Sequence, residues 1–329
     1  MKTFDFIQAT ISHNPKDPCS KSLEPDCHSP QTAITTQSRG GEGKGEGRLR
    51  HWVLVCGDYL GSGIGYSIFL LLLLSILLGA GCQRSRAGIT VAGSTSVEPF
   101  AELLAEEYMS THPEAHIYVQ GGGSTAGIEA AISGAANIGM SSRNLVDAEK
   151  RLYAVTIARD AIAIIVHPSN PIEDLPLDKI REIFSGKMAN WKEVGGPDHS
   201  IDIVTREEGS GTRESFQKFV MGKEDISLGA LVQDSNGAVR QVISSDPNAI
   251  GYISLGLVND QVKALRLSGV QPSLANVNNG TYTLVRPFLF VFNGDPAGGA
   301  KFFLDFVLSL PAQKLLLKEG LVPVVEKLG

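Results

Sequence analysis

The chain has 329 residues, 43% of them apolar and 19% charged, so it is long enough for one or two globular domains. Its net charge of −6 at pH 7 argues against nucleic acid as the main partner, because binding to a phosphate backbone requires a basic face. Its four cysteines all lie in the first quarter of the chain, so the rest has no disulfide framework and no cysteine metal site. We expect neither a metal nor a cofactor.

Residues 1–50 are rich in Ser, Thr, Pro, Gly and charged residues, and their few apolar positions show no period of 2 or 3.6. Such a composition is typical of a disordered segment. A mis-assigned start, with translation beginning downstream of Met1, explains the same segment equally well. The sequence does not separate these two interpretations.

Residues 51–82 form a predicted export signal. Arg48 and Arg50 precede an apolar run, residues 68–78, which ends in Gly79-Ala80-Gly81-Cys82. A positive region, an apolar run and small residues are the parts of a secretory signal. A cysteine directly after the small residues resembles a bacterial lipoprotein signal, in which Cys82 is lipidated. The alternative is an uncleaved membrane span, because the apolar stretch approaches the lower length limit for crossing a bilayer.

From residue 89 onward, apolar runs typical of strands alternate with segments of helical period, which indicates an α/β architecture with a largely parallel sheet. Two long apolar strands, Asp160 to His167 and Leu284 to Phe292, lie about 120 residues apart. We interpret them as the two connections between two lobes. The predicted division is 83–166 for the N-terminal part of lobe one, 167–285 for lobe two, and 286–329 for the return strand and the C-terminal part of lobe one.

The segment Arg206-Glu207-Glu208-Gly209-Ser210-Gly211-Thr212-Arg213 follows the apolar run 201–204 and precedes a helical pattern through Phe216 and Val220. This order predicts a strand, a glycine turn and a helix N-terminus. The first turn of a helix has backbone N–H groups without partners and carries a partial positive charge. The glycines allow close approach of an oxyanion, the hydroxyls add donors, and Arg206 adds charge-assisted hydrogen bonds.

Three other segments repeat this pattern of a strand followed by hydroxyl-bearing residues and a helix start. Ala92 to Ser96 leads into a helix, Gly121 to Gly127 precedes a short helix from about Ile128, and Ile138 to Arg143 precedes a helical pattern through Leu145 to Leu152. A single cluster of this kind is more often a helix cap or a turn than a ligand site. The repetition instead favours four helix starts that converge on one small oxyanion.

Six motifs follow one another along the chain: AGSTSVEP (Ala92 to Pro99), GGGSTAGI (Gly121 to Ile128), IGMSSR (Ile138 to Arg143), DAIAIIVHPSNP (Asp160 to Pro171), REEGSGTR (Arg206 to Arg213) and AIGYISLG (Ala249 to Gly256). Together they resemble the phosphate-binding proteins of bacterial ABC-type phosphate transporters, the PstS family. The resemblance covers residues 88–329 and implies a two-lobed periplasmic-binding-protein fold of type II, with dehydrated phosphate held in a cleft between lobes joined by two crossing strands. It also implies a permease and an ATPase as partners, and an exported protein anchored by lipid at the cell membrane or in the periplasm.

Carried over residue by residue, the resemblance implies a phosphate-binding set drawn from both lobes. Ser142 departs from the pattern of several members, which have an aspartate there that accepts the proton of hydrogen phosphate. A hydroxyl does not repel a fully ionised anion such as sulfate, so selectivity for phosphate over sulfate stays open. Glu208 would supply that repulsion if it faces the cleft. The implied set is Thr95, Ser96, Ser124, Ser142, Arg206, Ser210, Gly211 and Thr212.

Several further residues have more than one interpretation. Arg143 is predicted as either a phosphate ligand or a lobe-to-lobe ion pair. Arg213 is predicted as a solvated helix residue, and Trp191 as a packing residue. His112 and His116 have a spacing that binds metal on a helix, but the proline between them favours a loop.

The predicted function is therefore capture of inorganic phosphate for an ABC importer, and other functions stay open. The chain would alternatively bind another tetrahedral oxyanion, such as sulfate or molybdate, or act as a phosphate-sensing surface lipoprotein. A serine hydrolase of the nucleophile-elbow type needs Gly-x-Ser-x-Gly, and neither Ser124 nor Ser210 lies in that motif. We predict that the chain is not an enzyme.

Overall fold

The computed structural model describes residues 88–325, so the predictions for residues 1–50 and 51–82 lie outside the described residues. Between residues 88 and 325, no helix is long and apolar enough to cross a membrane.

The strands are β1 (Ile89–Gly93), β2 (Ile117–Gly121), β3 (Ile138–Ser141), β4 (Tyr153–Val166), β5 (Asp174–Leu175), β6 (Asp202–Arg206), β7 (Leu231–Gln233), β8 (Ala249–Ser254), β9 (Lys263–Ala264), β10 (Arg266–Leu267), β11 (Val285–Phe292) and β12 (Val322–Pro323). The helices are α1 (Glu98–Thr111), α2 (Ser124–Ser133), α3 (Leu177–Phe184), α4 (Gly211–Phe216), α5 (Asn236–Ser245), α6 (Leu274–Asn278), α7 (Gly298–Val307) and α8 (Leu310–Lys318).

One ten-stranded mixed sheet runs through the described part of the chain, in the order β2-β1-β3-β11-β4-β8-β6-β7, with β9 and β12 also paired to β4. At its two ends the pairing is parallel, between β1 and both β2 and β3, and between β6 and both β7 and β8. At its centre, β4 pairs antiparallel with β11 and β8. The prediction of a largely parallel sheet is wrong there, because a fully buried apolar strand has no period that indicates its direction.

Strand β4 belongs to both halves of the sheet. Its residues 153–161 pair with β11, whereas residues 162–166 pair with β8. At the change of partner, the N–H of Ile162 donates to the carbonyl of Leu284, just before β11, at 2.9 Å. The two apolar runs are thus crossing strands between two lobes, and the fold is the predicted two-lobed α/β fold.

Each half of the sheet has its own apolar core. In lobe one, α1, α7 and α8 cover the sheet, so the C-terminal helices pack back on lobe one. In lobe two, Trp191 is fully buried and the ring of Phe216 stacks on that of Tyr252 with centroids 4.0 Å apart. Burying such side chains stabilises each lobe by roughly 1.5–3 kcal/mol apiece, and Trp191 is confirmed as a packing residue.

The structure differs from two of the predicted helix starts. The segment from Leu145 to Leu152 contains only a 3-10 turn, Asp147–Glu149, because the Glu149 carboxylate accepts a hydrogen bond from the Val146 N–H and fixes the chain in a tight turn. Its two leucines still pack in one apolar cluster without a helix. Helix α2 begins at Ser124 and not near Ile128, which places Ser124 in the first turn.

Candidate oxyanion site

The predicted binding residues lie at the ends of strands and at the starts of helices, where the two lobes meet. In open α/β sheets, the carboxyl ends of parallel strands are the usual place for a ligand. Thr95 and Ser96 follow β1 and Ser142 follows β3, all in lobe one. Arg206 ends β6 in lobe two, and α4 starts soon after it, at Gly211. Ser124, in the first turn of α2, completes the lobe-one group.

Hydroxyl groups from the two lobes are in direct contact across the cleft. Ser96 Oγ lies 2.8 Å from Thr212 Oγ1, and Arg206 Nη2 donates to Thr95 Oγ1 at 3.1 Å. Within lobe one, Ser124 Oγ lies 3.3 Å from Ser142 Oγ. The cleft is closed, and the predicted residues of both lobes form one hydroxyl-rich cluster that is buried except for the half-buried Thr95.

Gly211 has no room for a side chain at this point. A Cβ built on it would overlap Ser124 Oγ and come within 2.7 Å of Ser142 Oγ. The preceding residue, Ser210, is buried, and its hydroxyl accepts a hydrogen bond from the N–H of Arg213 as the cap of α4. The start of α4 therefore lies directly against the hydroxyls of lobe one.

Arg206 is 1% exposed and has a carboxylate partner beside it. Its Nε and Nη2 donate to the two carboxylate oxygens of Glu207 at 2.9 and 2.8 Å, and Nη2 also donates to the carbonyl of Asp234 at 2.9 Å. Its Nη1 has no hydrogen-bond partner among residues 88–325. A buried donor without an acceptor costs about 1–3 kcal/mol, so this group favours an incoming anion.

Glu207, rather than Glu208, is the carboxylate nearest to the arginine. The Glu208 side chain is exposed, whereas Glu207 is half-buried and uses both oxygens on Arg206. The idea that Glu208 repels a fully ionised anion from inside the cleft is therefore wrong. Gly209, with φ +83°, makes the turn that separates these two glutamates from α4. At this turn, the Glu208 side chain points to solvent.

Sequence reasoning missed part of the cluster. Arg286 on β11 and Asp160 on β4 form a fully buried ion pair, with Arg286 Nη2 and Asp160 Oδ2 2.9 Å apart. Burial raises the pKa of the Asp160 carboxyl and lowers that of the Arg286 guanidinium. The signal was one charged residue, Arg286, within the apolar strand β11, and a neighbouring Arg159-Asp160 pair within β4. The residues missed are Ser94, Asp160, Asn236, Ser254 and Arg286.

Arg143 forms an ion pair between the lobes. Its Nη1 lies 2.7 Å from Glu149 Oε2 in lobe one, and its Nε lies 2.7 Å from Glu214 Oε2 in lobe two. The hydrogen bonds from Arg143 lower the pKa of the Glu149 carboxyl. Of the two interpretations of Arg143, the structure shows the lobe-to-lobe ion pair.

Arg213 is not a solvated helix residue. Its side chain is half-buried, and Nη1 donates to the carbonyl of Arg206 at 2.7 Å, because the turn at Gly209 folds the start of α4 back over the end of β6.

His112 ends α1, where its ring stacks on Tyr108 with centroids 4.2 Å apart, and His116 lies in the loop before β2. Residues 88–325 contain no group of three His, Cys, Asp or Glu that is placed to hold a metal ion.

Residues 79–310 match the family described as the PBP superfamily domain. The chain is 34% identical over 253 residues to the phosphate-binding protein PstS of Bacillus subtilis, covering 75% of this chain and 84% of that protein. It is 40% identical to a putative phosphate ABC transporter substrate-binding protein of Clostridium perfringens, solved with bound phosphate, with a TM-score of 0.70 over 72% of this chain and all of that one. An ABC-type phosphate transport receptor of Vibrio cholerae is also 40% identical, with a TM-score of 0.61 over 71% of this chain and 99% of that one.

Proposed function

Because the chain belongs to the PstS family of phosphate-binding proteins, we propose that its cleft captures inorganic phosphate and delivers it to an ABC importer. Proteins of this family bind and hand over a substrate, so the chain is not an enzyme. The observation that carries the proposal is the buried cluster of hydroxyls, in which Ser96 and Thr212 from opposite lobes are 2.8 Å apart beside Arg206.

The cluster offers hydroxyl and guanidinium donors, which suit a dehydrated oxyanion. Hydroxyl groups donate as well as accept, and a guanidinium only donates. Charge-assisted hydrogen bonds offset the cost of removing water from the anion better than neutral ones do. We propose that phosphate inserts between the lobe-one and lobe-two hydroxyls and accepts from Arg206. The proposed ligands are Thr95, Ser96, Ser124, Ser142, Arg206, Ser210, Gly211 and Thr212.

The two lobes each supply part of this set, so the anion makes all of its hydrogen bonds only when the lobes are closed. It therefore binds the closed state more tightly than the open state and shifts the equilibrium toward closure. The proposed division keeps residues 83–166 and 286–329 in lobe one and 167–285 in lobe two. Its support is the change of partner along β4, from β11 to β8, at residues 161 and 162.

Sulfate is the second candidate ligand, and one observation favours it. Ser142 supplies a hydroxyl within the cluster, and the half-buried Glu207 carboxylate is already engaged by Arg206. Ser142 has no carboxylate, and the carboxylate of Glu207 is already paired with Arg206. Neither residue therefore offers a free carboxylate to accept the proton of hydrogen phosphate or to repel sulfate. Selectivity for phosphate over sulfate would then rest on hydroxyl acceptors alone.

Calorimetric titration of the full chain, purified in detergent, with phosphate, sulfate and molybdate in turn tests the proposal. We expect saturable binding of phosphate with one site per chain, and weaker binding of sulfate. Tight binding of sulfate or molybdate with no binding of phosphate would overturn the assignment. Equal binding of phosphate and sulfate would leave the site in place and make the chain a general tetrahedral-oxyanion binder.

Relatives in this family act outside the cytoplasm, and we propose that this chain is exported and held at the membrane by lipid on Cys82. The support is the apolar run that ends in Gly79-Ala80-Gly81-Cys82. In cells that express Cys82→Ala, we expect the protein to leave the membrane fraction or to keep an uncut N-terminus. A variant that is membrane-bound and processed like the parent would contradict lipidation at this residue.

A further inference from the structure

Arg286 places a second buried guanidinium group, in addition to that of Arg206, in the hydroxyl-rich cluster. The residue lies on β11 directly opposite Asp160 on β4, at the point where the chain crosses between the lobes. Its Nε and Nη2 donate to Asp160 Oδ2 at 3.0 and 2.9 Å. The side chain is 2% exposed, so water does not compete for its hydrogen bonds.

The other edge of this guanidinium faces the proposed phosphate ligands of both lobes. Nη1 donates to Thr212 Oγ1 in lobe two at 2.8 Å, and Nη2 donates to Ser96 Oγ in lobe one at 3.2 Å. Nη1 also lies 3.4 Å from the carbonyl oxygen of Ser142. Arg286 thus contacts three of the residues already assigned to the site, and these contacts come from separate segments of the chain.

Asp160 uses both of its carboxylate oxygens on neighbouring side chains. Its Oδ2 accepts both bonds from Arg286, and its Oδ1 accepts from Ser254 Oγ at 2.8 Å. The carboxylate therefore fixes the direction of the guanidinium. A buried ion pair is costly to desolvate and is seldom retained for stability alone. An ion pair kept at the cleft, with one edge on ligand hydroxyls, is better explained by a role in binding.

We propose that Arg286 is a second guanidinium ligand of the bound phosphate, held toward the cleft by Asp160. The anion would accept from the edge of Arg286 that now donates to Ser96 and Thr212. Because Arg206 donates to Thr95 in the same cluster, a doubly charged anion there would meet two guanidinium groups. This inference deepens the phosphate assignment and rests on it.

The test compares phosphate affinity with folding stability in a charge-neutral pair of substitutions. Removing Arg286 alone would leave Asp160 buried without a partner, which is strongly destabilising. The double variant Asp160→Asn/Arg286→Gln removes both charges at similar volume. We expect its phosphate dissociation constant, measured by calorimetry, to rise by about 10- to 1000-fold, while its thermal melting without phosphate shows a cooperative transition.

Arg240→Gln is the matched control, because Arg240 is an arginine of helix α5 in lobe two that donates to the backbone carbonyl of Leu257 instead of to the cluster. It should bind phosphate like the parent. If the double variant folds and binds phosphate within about twofold of the parent, Arg286 is only a structural brace. If the parent itself fails to bind phosphate, the function assignment fails instead.

A second variant keeps the inference testable if the double variant does not fold. Arg286→Lys retains a cation beside Asp160, but a single ammonium group cannot reproduce the planar fork that reaches Asp160, Ser96 and Thr212 together. We expect a loss of phosphate affinity of about tenfold or more. Unchanged affinity in a folded Arg286→Lys protein would overturn the proposal.

Discussion

The two regions in which the lobes touch differ in how their charges are matched. We use "floor cluster" for Thr95, Ser96, Arg206, Thr212 and Arg286, and "rim cluster" for Thr125, Arg143, Glu149 and Glu214. In the rim cluster, Arg143 binds both oxygens of Glu149 and also pairs with Glu214 at 2.7 Å. In the floor cluster, each guanidinium has one carboxylate partner, Glu207 for Arg206 and Asp160 for Arg286, and its other edge faces hydroxyls. Arg206 Nη1 has no hydrogen-bond partner among residues 88–325.

We interpret this difference as the distinction between the proposed anion site and a contact that holds the lobes together. A cation that two carboxylates already neutralise has little attraction left for a further anion. A cation with one carboxylate partner and a second edge on hydroxyls keeps more of this attraction, because hydroxyls can turn their protons toward a new acceptor. We therefore expect substitutions in the floor cluster to change phosphate affinity strongly, and substitutions in the rim cluster to change it weakly.

The largest effect is expected for Arg206→Ala. The phosphate is charged and stripped of water, so loss of charge-assisted hydrogen bonds should raise the dissociation constant by about 10- to 1000-fold. Arg206→Lys should recover only part of this, since an ammonium group does not reproduce the planar fork. Calorimetry at one pH and one salt concentration measures the three proteins. Parent-like binding by Arg206→Ala would place the anion elsewhere.

Gly211→Ala should act through shape instead of charge. The added methyl group would overlap Ser124 Oγ, so the lobes cannot close fully and the dissociation constant should rise by about 10- to 100-fold. Small-angle scattering with saturating phosphate should show a larger radius of gyration than for the closed parent. Gly237→Ala is the control, because a Cβ there has only Ser235 Oγ within reach, at 3.9 Å. Full closure of Gly211→Ala would contradict the tight contact.

Glu214→Gln should weaken phosphate binding by only about two- to fivefold, because a partly exposed ion pair contributes roughly 0–1 kcal/mol. The substitution removes the rim contact from Arg143 to lobe two and leaves the pair with Glu149 intact. Glu182→Gln changes the net charge equally, but its partner Lys179 lies on the same helix, so it controls for long-range charge. Identical affinities for the two variants would show that the rim cluster does not favour closure.

The smallest effect is expected for the pH dependence of stability due to Glu149. Hydrogen bonds from Arg143 hold its pKa below the ordinary value of 4.5. A carboxyl with a lowered pKa in the folded state stabilises that state above the unfolded pKa, and the contribution is lost as pH falls through the folded pKa. Chemical unfolding from pH 7 to pH 3 should therefore show a shallower loss of stability below about pH 4.5 for Glu149→Gln than for the parent. Parallel profiles would contradict the lowered pKa.

The site was predictable from sequence to the extent that its residues lie in short local motifs. Gly211 and Thr212 follow a strand and open a helix, and this order is visible as an apolar run, glycines and hydroxyls. Asp160 and Arg286 were not predicted, since they are about 125 residues apart and each interrupts an apolar strand. Only the antiparallel pairing of β4 and β11 brings them together.

The sequence by itself determined most of the strand and helix order and the hydroxyl-bearing segments, because hydrophobic period and glycine turns act locally. It missed the turn at Asp147–Glu149, where a side-chain hydrogen bond replaces a helix. The tertiary structure decided which charges are used. It turned Glu207 rather than Glu208 onto Arg206, placed Arg143 between two carboxylates, and directed one edge of Arg286 into the cleft. These choices depend on strand direction and lobe closure, and both arise from contacts between residues far apart in the chain.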